Sequence, residues 1–158
     1  MLKNYLIIFL ISMVPLIELR GAIPVSQGLG LPIISSYIIC IIGNMIPVPI
    51  IYLFARKVLE WGQNKKLIGG ICTFFLVKGS KAGKKLEEKA GKGLFLALLL
   101  FVGIPLPGTG AWTGTLAASL LDMRFKDTVI AVSLGVLLAG VIMMLASLGI
   151  FGAVGAIA

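Results

Sequence analysis

Histidine is absent from the 158 residues of this chain, and cysteine occurs only at Cys40 and Cys72. The two cysteines lie in different segments and form no CxxC pair, which argues against a zinc or haem site and a catalytic histidine dyad. Only six residues are acidic, so the usual parts for acid/base or metal-assisted catalysis are missing. We therefore expect no metal, no cofactor and no enzymatic activity.

Charge is also scarce, because 13% of the residues are charged and 59% are apolar. Soluble domains have about 25% charged and about 45–50% apolar residues. This composition predicts an all-α, multi-pass protein of the cell membrane with a single membrane domain, residues 1–158. A helical span needs about 20 residues, so few crossings fit. We therefore expect a homodimer to enclose a polar route.

The basic residues are concentrated in the middle of the chain, where ten of the 14 lie between Arg56 and Lys92. Three glutamates accompany them, so this stretch carries +7 of the net charge of +8. The positive-inside rule predicts that residues 56–92 form a cytoplasmic loop, with one or two helices on the membrane surface. Membrane lipids with anionic headgroups are its expected partners, and the absence of a recognition motif argues against nucleic acid.

Apolar residues form two runs that are long enough to cross a bilayer, 31–55 and 128–156. Two further apolar regions are interrupted by proline. Residues 3–14 precede PLIELRGAIP (15–24), and residues 93–103 precede PLPGTGAWTG (105–114). The apolar arms before these motifs would form about 16 Å of helix, half of the ~30 Å hydrocarbon core. Each interrupted region is therefore either a kinked span or a re-entrant segment.

The loop at residues 122–127, which carries Arg124 and Lys126, separates these two topologies. If all four regions cross, this loop lies on the side opposite to the basic loop. If the interrupted regions are re-entrant, both loops are cytoplasmic and both termini lie outside. The positive-inside rule favours the re-entrant topology.

Placing Pro15 over Pro105 aligns the two ends of the chain at an offset of 90 residues. Residues 1–55 and 93–158 then each contain an interrupted segment followed by a long span. The connection through 56–92 puts the second copy on the opposite membrane face. This order is typical of an inverted repeat, in which two opposed re-entrant helices meet near the midplane. An accidental pair of prolines is the alternative interpretation.

The motif at 15–24 forms the tip of the first interrupted segment, and the motif at 105–114 forms the tip of the second. Glu18 and Arg20 are the charged side chains of the first tip. Intramembrane charge is costly and by default marks a functional pathway. On an extended tip between Pro15 and Pro24 the two side chains would point the same way, whereas on a helix their spacing would separate them. A guanidinium suits phosphate or carboxylate, and a buried glutamate can take up and release a proton. The alternative is a structural ion pair.

The second tip carries no charge, but its glycines allow a close backbone approach and its threonines supply hydroxyl groups. A helix beginning near Gly110 would aim its N-terminal amides at the midplane, where an anionic group is favoured. The candidate substrate- or ion-binding residues of the two tips are Pro15, Glu18, Arg20, Gly21, Pro24, Pro105, Pro107, Gly108, Thr109, Gly110, Trp112 and Thr113.

The motifs at 15–24 and 105–114, together with LAASLL at 116–121, resemble the bacterial and archaeal small multidrug export proteins over nearly the whole chain. That family is in turn similar to the DedA superfamily, in which opposed re-entrant helices are implicated in moving lipid carriers and coupling to ions has been proposed. The resemblance implies a transporter or lipid-carrier flippase for a small molecule or an anionic lipid. Glu18 and Arg20 are the residues that match. The alternative function is a non-transporting membrane organiser that recruits lipids or a partner through its basic loop.

Cysteine labelling from the outside tests the re-entrant topology. We expect labelling near Gly28 and at residue 158, with positions 84 and 124 protected because they face the cytoplasm. Labelling of position 124 from outside would instead establish four crossings.

Overall fold

The computed structural model describes residues 2–65, 69–70, 73–74, 77, 93–106 and 108–157. All regular structure in these ranges is helical, which confirms the all-α class. Most of the predicted basic loop, and Pro107, lie outside the described residues. The helices that position the tips are α1 (Leu2–Met13), α2 (Glu18–Gly28), α3 (Ile33–Met45), α4 (Pro47–Gln63), α5 (Gly93–Gly103), α6 (Ala111–Leu120) and α7 (Phe125–Ile157).

Two long apolar stretches confirm the predicted spans. One is α3 and α4 together, Ile33–Gln63 with 31 residues, and the other is Phe125–Ile150 of α7 with 26 residues. Both are long and apolar enough to cross a bilayer by length and composition. Only Ile46 separates α3 from α4. Pro47 fits in the first turn of α4, because a residue at this position donates no backbone hydrogen bond within the helix. Helix α4 continues to Gln63, into the sequence predicted as loop.

The remaining helices are too short to span a bilayer. Helix α1 has 12 residues and α5 has 11, which correspond to about 15–18 Å of length. Each ends just before a proline, Pro15 or Pro105, since proline disfavours the helical conformation of the residue that precedes it. Helix α1 packs against α2 and α3, and α5 packs chiefly against α7.

Helix α5 runs parallel to α7 and antiparallel to α6. The Leu99 carbonyl lies beside Gly135, and Gly103 lies beside Leu138, so the contacts advance in the same direction along both helices. Gly114 of α6 lies against Val102 of α5, so the chain turns back along α5 after the tip. Helices α5 and α6 therefore form a hairpin whose tip is at residues 104–110.

Backbone conformations recur along the chain at an offset of 92 residues. Six described residues have a positive φ, and they fall into three pairs with this offset. The pairs are Leu16 (71°) with Gly108 (82°), Glu18 (53°) with Gly110 (134°), and Gly30 (67°) with Asp122 (61°). Positive φ values thus recur at equivalent positions before and after the short helices α2 and α6.

The turns that end α2 and α6 are built from the same hydrogen bonds. The N–H of Leu31 donates to the carbonyl of Ser26, and the N–H of Met123 donates to that of Ala118, 3.0 and 3.1 Å apart. With a left-handed residue just before the donor, this is a Schellman motif, which satisfies the last carbonyls of a helix. Both short helices thus turn directly into the long helix that follows.

One glycine in each long helix permits close contact with a short helix. A side chain at Gly43 would lie 2.7 Å from the carbonyl oxygen of Phe9 in α1. A side chain at Gly135, 92 residues later, would lie 2.8 Å from the carbonyl oxygen of Leu99 in α5. Small residues at such positions let helix backbones approach closely, as is common between membrane helices. The contact between α1 and α3 is therefore built in the same way as the contact between α5 and α7.

The loop at 122–127 lies beside the middle of α4. The Tyr52 hydroxyl donates to the carbonyl of Met123, the Ser119 hydroxyl donates to the carbonyl of Tyr52 at 3.0 Å, and the rings of Tyr52 and Phe125 meet edge to face at 5.2 Å. Tyr52 is the sixth of the 17 residues of α4, so this helix continues beyond the level of the loop.

We expect Gly135→Ala to destabilise the protein, because the new methyl group would overlap Val102 and the Leu99 carbonyl. Overpacking of this kind costs about 1–3 kcal/mol. Gly149→Ala in the same helix is the control, since nothing lies within 4 Å of its added carbon. The melting temperature in detergent should fall only for Gly135→Ala, and an equal change in both variants would contradict the close helix contact.

Candidate functional site

The first tip is turned rather than extended, so the structure shows the helical one of the two conformations considered for Glu18 and Arg20. Helix α2 begins at Glu18 and includes Pro24. The N–H of Glu18 donates to the Val14 carbonyl at 3.0 Å, and that of Gly21 donates to the Ile17 carbonyl at 3.1 Å. A tip without water must pair its backbone groups internally, and turns do so where an extended strand cannot.

Glu18 of the first tip caps the helix that follows the second tip. Its carboxylate accepts a hydrogen bond from the N–H of Ala111 at 3.1 Å and another from the N–H of Trp112 at 3.0 Å. These are the first residues of α6, where backbone N–H groups lack partners and the helix dipole favours negative charge. The side chain is only 3% exposed. The anionic group expected at this helix terminus is therefore supplied by the protein itself.

Gly110 leaves the space that this contact needs. It precedes α6 with a φ of 134°, which side chains rarely allow. A Cβ at this position would overlap the Glu18 carboxylate, with the Cδ atom 2.7 Å away. Gly110 therefore permits both the backbone turn and the approach of Glu18.

Arg20 engages the other helix of the second hairpin. Its guanidinium donates from Nη1 to the Leu106 carbonyl and from Nη2 to the carbonyls of Val102 and Ile104, at 3.3 and 3.4 Å. These oxygens follow the end of α5, where carbonyls lack helical partners and the dipole favours positive charge. Glu18 and Arg20 thus diverge from α2 to opposite helix ends, as their spacing on a helix requires.

Two further side chains complete the junction between the tips. The indole N–H of Trp112 donates to the carbonyl of Met13, the last residue of α1, at 3.1 Å. The Thr109 hydroxyl lies 3.0 Å from the carbonyl of Ile104 and 2.8 Å from that of Leu106, and bonds within its own tip. The ends of α1 and α5 and the start of α6 are therefore all held by side-chain hydrogen bonds.

The backbone of the first tip is strained. Leu16 and Glu18 have positive φ values of 71° and 53°. A left-handed conformation costs a non-glycine residue about 1–2 kcal/mol. Two hydrogen bonds to a charged group, each contributing about 1.5–3 kcal/mol, are enough to offset this cost at Glu18. The strained conformation is thus coupled to the contact with α6.

A cavity of about 230 Å³ lies at the junction. The residues with polar groups among its lining are Glu18, Thr109, Trp112 and Thr113, whereas the rest of the lining is apolar. The apolar lining residues are Pro15, Leu16, Ile51 and Leu116. Such a cavity, apolar with a few convergent polar groups, is typical of small-molecule sites.

The residues predicted from the two motifs fall into three groups. The cavity lining includes Pro15, Glu18, Thr109, Trp112 and Thr113. Around the cavity, the backbone of the tips and α2 contains Arg20, Gly21, Pro24, Pro105, Gly108 and Gly110. Pro107 lies outside the described residues. Glu18 of the first tip thus contacts the start of α6 directly, through the N–H groups of Ala111 and Trp112.

Several contributors have no distinctive residue type, and sequence reasoning missed them. The N–H groups of Ala111 and Trp112 and the carbonyls after α5 are backbone groups, which any residue supplies. Ile51 reaches the cavity from α4, far from either motif. Asn44, which is buried in α3, could have been recognised from the sequence, because it is an amide within a largely apolar run.

The long apolar helices and the interrupted pairs beside them define a helical membrane protein with a polar junction in its interior. The chain belongs to the family described as "Putative small multi-drug export protein", whose model matches residues 18–142. This confirms the family indicated by the two motifs, and the match begins at Glu18 itself. Searches of curated proteins and of solved structures found no match to this chain.

Gly110→Ala tests the contact between the tips. We expect a lower melting temperature than for Gly108→Ala, because both glycines have positive φ but only a side chain at Gly110 overlaps Glu18. Adding Glu18→Ala to Gly110→Ala removes the overlap, so the two changes should couple by about 0.5–3 kcal/mol. Additive losses, or equal effects at the two glycines, would show that the carboxylate does not lie there.

Proposed function

We propose that this protein is a membrane transporter whose substrate site is the cavity between the two tips. In this proposal α1–α2 and α5–α6 are re-entrant hairpins that enter from opposite faces, as the two halves of an inverted repeat. The recurring turns at an offset of 92 residues support the repeat. The direction of α6 supports opposed entry. Its first turn bonds the end of α1 beside Gly43 of α3, and its last turn bonds Tyr52 of α4, so α6 runs in the same direction as α3 and α4.

One observation carries the proposal: the only buried carboxylate at the described junction, Glu18, belongs to one hairpin and caps a helix of the other at the wall of the cavity. An ionised Glu18 accepts both N–H groups and holds the hairpins together. A protonated Glu18 loses part of its attraction for the helix terminus. Proton binding then loosens the contact between the hairpins and changes access to the cavity, which couples transport to a proton.

Arg20 is assigned to positioning. Its donors hold the carbonyls that follow α5, so this hairpin stays attached to α2 whichever protonation state Glu18 adopts. Direct binding of an anionic substrate by Arg20 would require these bonds to open. Substrate binding by Arg20 therefore stays a prediction, and the Arg20→Lys variant described below distinguishes it from positioning.

The substrate that fits is small and largely apolar. The volume of about 230 Å³ lies below the roughly 300–1,000 Å³ of most drug-sized pockets. It accommodates a small molecule or the head of a lipid carrier, with the tail in the bilayer. Because one chain encloses so little space, we propose that a homodimer provides the complete pathway.

A membrane organiser is the second candidate, and the end of α4 favours it. Trp61 is 62% exposed, and the Lys65 ammonium lies 4.5 Å from the centre of its ring. Aromatic and basic side chains together suit the interface with anionic headgroups. A protein with this role would cluster anionic lipid but transport nothing.

Flux into proteoliposomes, with and without a pH gradient, tests the transport proposal. Glu18→Gln preserves the shape of the side chain but cannot ionise, so we expect a folded protein whose flux no longer depends on the gradient. Arg20→Lys keeps the charge but loses the fork of donors. As a positioning residue it should lower the melting temperature and the maximal flux together, whereas a substrate-binding residue would mainly raise the half-saturating concentration.

A stable Glu18→Gln protein whose flux follows the pH gradient as in the wild type would rule out the coupling role. Absence of flux for every candidate substrate, with clustering of anionic lipid retained, would favour the organiser.

A further inference from the structure

Some buried polar groups have no hydrogen-bond partner among the described residues. The atoms are Asn44 Nδ2, Asn44 Oδ1, Thr115 Oγ1, Thr128 Oγ1 and Ser147 Oγ. Asn44 is 1% exposed and leaves both ends of its amide unpaired. An unpaired buried polar group destabilises the state in which it occurs. A partner in another state of the protein would explain why Asn44 is placed there.

Asn44 lies close to the junction between the tips. Its neighbour Gly43 contacts Ser12 in the last turn of α1. The next residue of α1, Met13, accepts the hydrogen bond from Trp112 of α6. Asn44 and the first turn of α6 therefore both border the end of α1.

The packing of α4 on α6 also indicates that Asn44 lies at the level of the first turn of α6. Ser119 of α6 bonds the carbonyl of Tyr52 at 3.0 Å. Counting back about two turns along each helix from this contact reaches Asn44 and Ala111. Thr115 lies one turn after Ala111 and on the same face of α6. The unpaired groups of Asn44 and Thr115 therefore lie within about one helical turn of the level at which Glu18 caps α6.

Packing alone does not require an amide at this position. The residue 92 positions later, Val136, is apolar and is also 1% exposed. The equivalent site in the other half is thus filled by a valine, which makes Asn44→Val a matched substitution.

We propose that Asn44 is the partner of Glu18 in its protonated state, with the Thr115 hydroxyl beside it. This inference rests on the proposed function and names the residue that receives Glu18 when it leaves α6. An ionised carboxylate only accepts hydrogen bonds and suits the two N–H groups of α6. A protonated carboxyl group has one donor and one acceptor, and a primary amide offers the complementary pair. Glu18 takes up a proton from the aqueous phase on one side and releases it to the other. The O–H bond of its carboxyl group is the one covalent bond that forms and breaks.

Other titratable groups on the surrounding helices do not offer this pairing. Arg20 on α2 holds the carbonyls after α5, and the Tyr37 hydroxyl on α3 donates to the Leu137 carbonyl at 3.1 Å. Helix α6 carries no titratable side chain. The remaining titratable groups on the helices packed around the tips are Lys3 and Tyr5 on α1, Cys40 on α3, Tyr52, Arg56, Lys57 and Glu60 on α4, and Lys126 and Asp127 in the first turn of α7.

Infrared titration of the protein in lipid bilayers tests this exchange of partners. The C=O stretching band of a protonated carboxyl group depends on its hydrogen bonds, and Glu18→Gln identifies the band that belongs to Glu18. We expect Asn44→Val to shift this band to higher frequency, because the carboxyl group loses its amide partner. Thr128→Val removes another unpaired buried group, in the first turn of α7, and should leave the band unchanged.

Melting temperature supplies the second readout. Asn44→Val and Thr128→Val should both melt at or above the wild-type temperature, since each removes an unpaired group. A loss confined to Asn44→Val would show that Asn44 is already paired and would overturn the inference. An unshifted band in Asn44→Val, or no band that Glu18→Gln removes, would overturn it as well.

Flux on the same variants separates this inference from the proposed function. A band shift in Asn44→Val without proton-dependent flux in the wild type would retain the partner exchange and refute coupled transport. Proton-dependent flux with an unshifted band would retain transport and refute the role of Asn44.

Discussion

The structure depends on one constraint, that helix ends buried away from water must find other partners. Interrupting an apolar segment creates two such ends, and this chain has two interruptions. Glu18 pairs the N–H groups that begin α6, Arg20 pairs the carbonyls that follow α5, and Trp112 pairs the last carbonyl of α1. Each of these contacts joins the two halves of the chain. The two charged residues therefore stabilise the junction between the halves.

Sequence patterns predicted the helical class, both long spans and the interruptions, because proline acts locally on the residue before it. Glu18 and Arg20 were identified as the important charges because charge in an apolar segment is rare. Their partners were not predictable, since they are backbone groups about 90 residues away in the chain. The conformation of the first tip was left open by its sequence, and the need to pair its backbone groups favoured a turn and a helix despite the two prolines. The offset of 90 residues matches the ends of α1 and α5, whereas the turns beyond them recur at 92, because the second tip is two residues longer.

The two tips share a backbone path but differ in composition. Gly108 and Gly110 occupy left-handed positions without strain, whereas Leu16 and Glu18 occupy the equivalent positions with it. A carboxylate at one tip and a glycine at the other are complementary, because the space left by Gly110 is where Glu18 lies. Two identical tips would place either two carboxylates or none at the junction. The difference between the halves therefore leaves one buried carboxylate at the described junction.

The bonds between the halves also bear on how the protein is made. Ribosomes release the chain from its N-terminus, so Glu18 and Arg20 enter the membrane long before residues 102–112 exist to receive them. During that interval the first half carries two charges without their final partners, and α1 and α2 have only α3 to pack against. Translation of the second half then completes the junction. The lysine-rich stretch between the halves therefore also sets the delay before the junction can form.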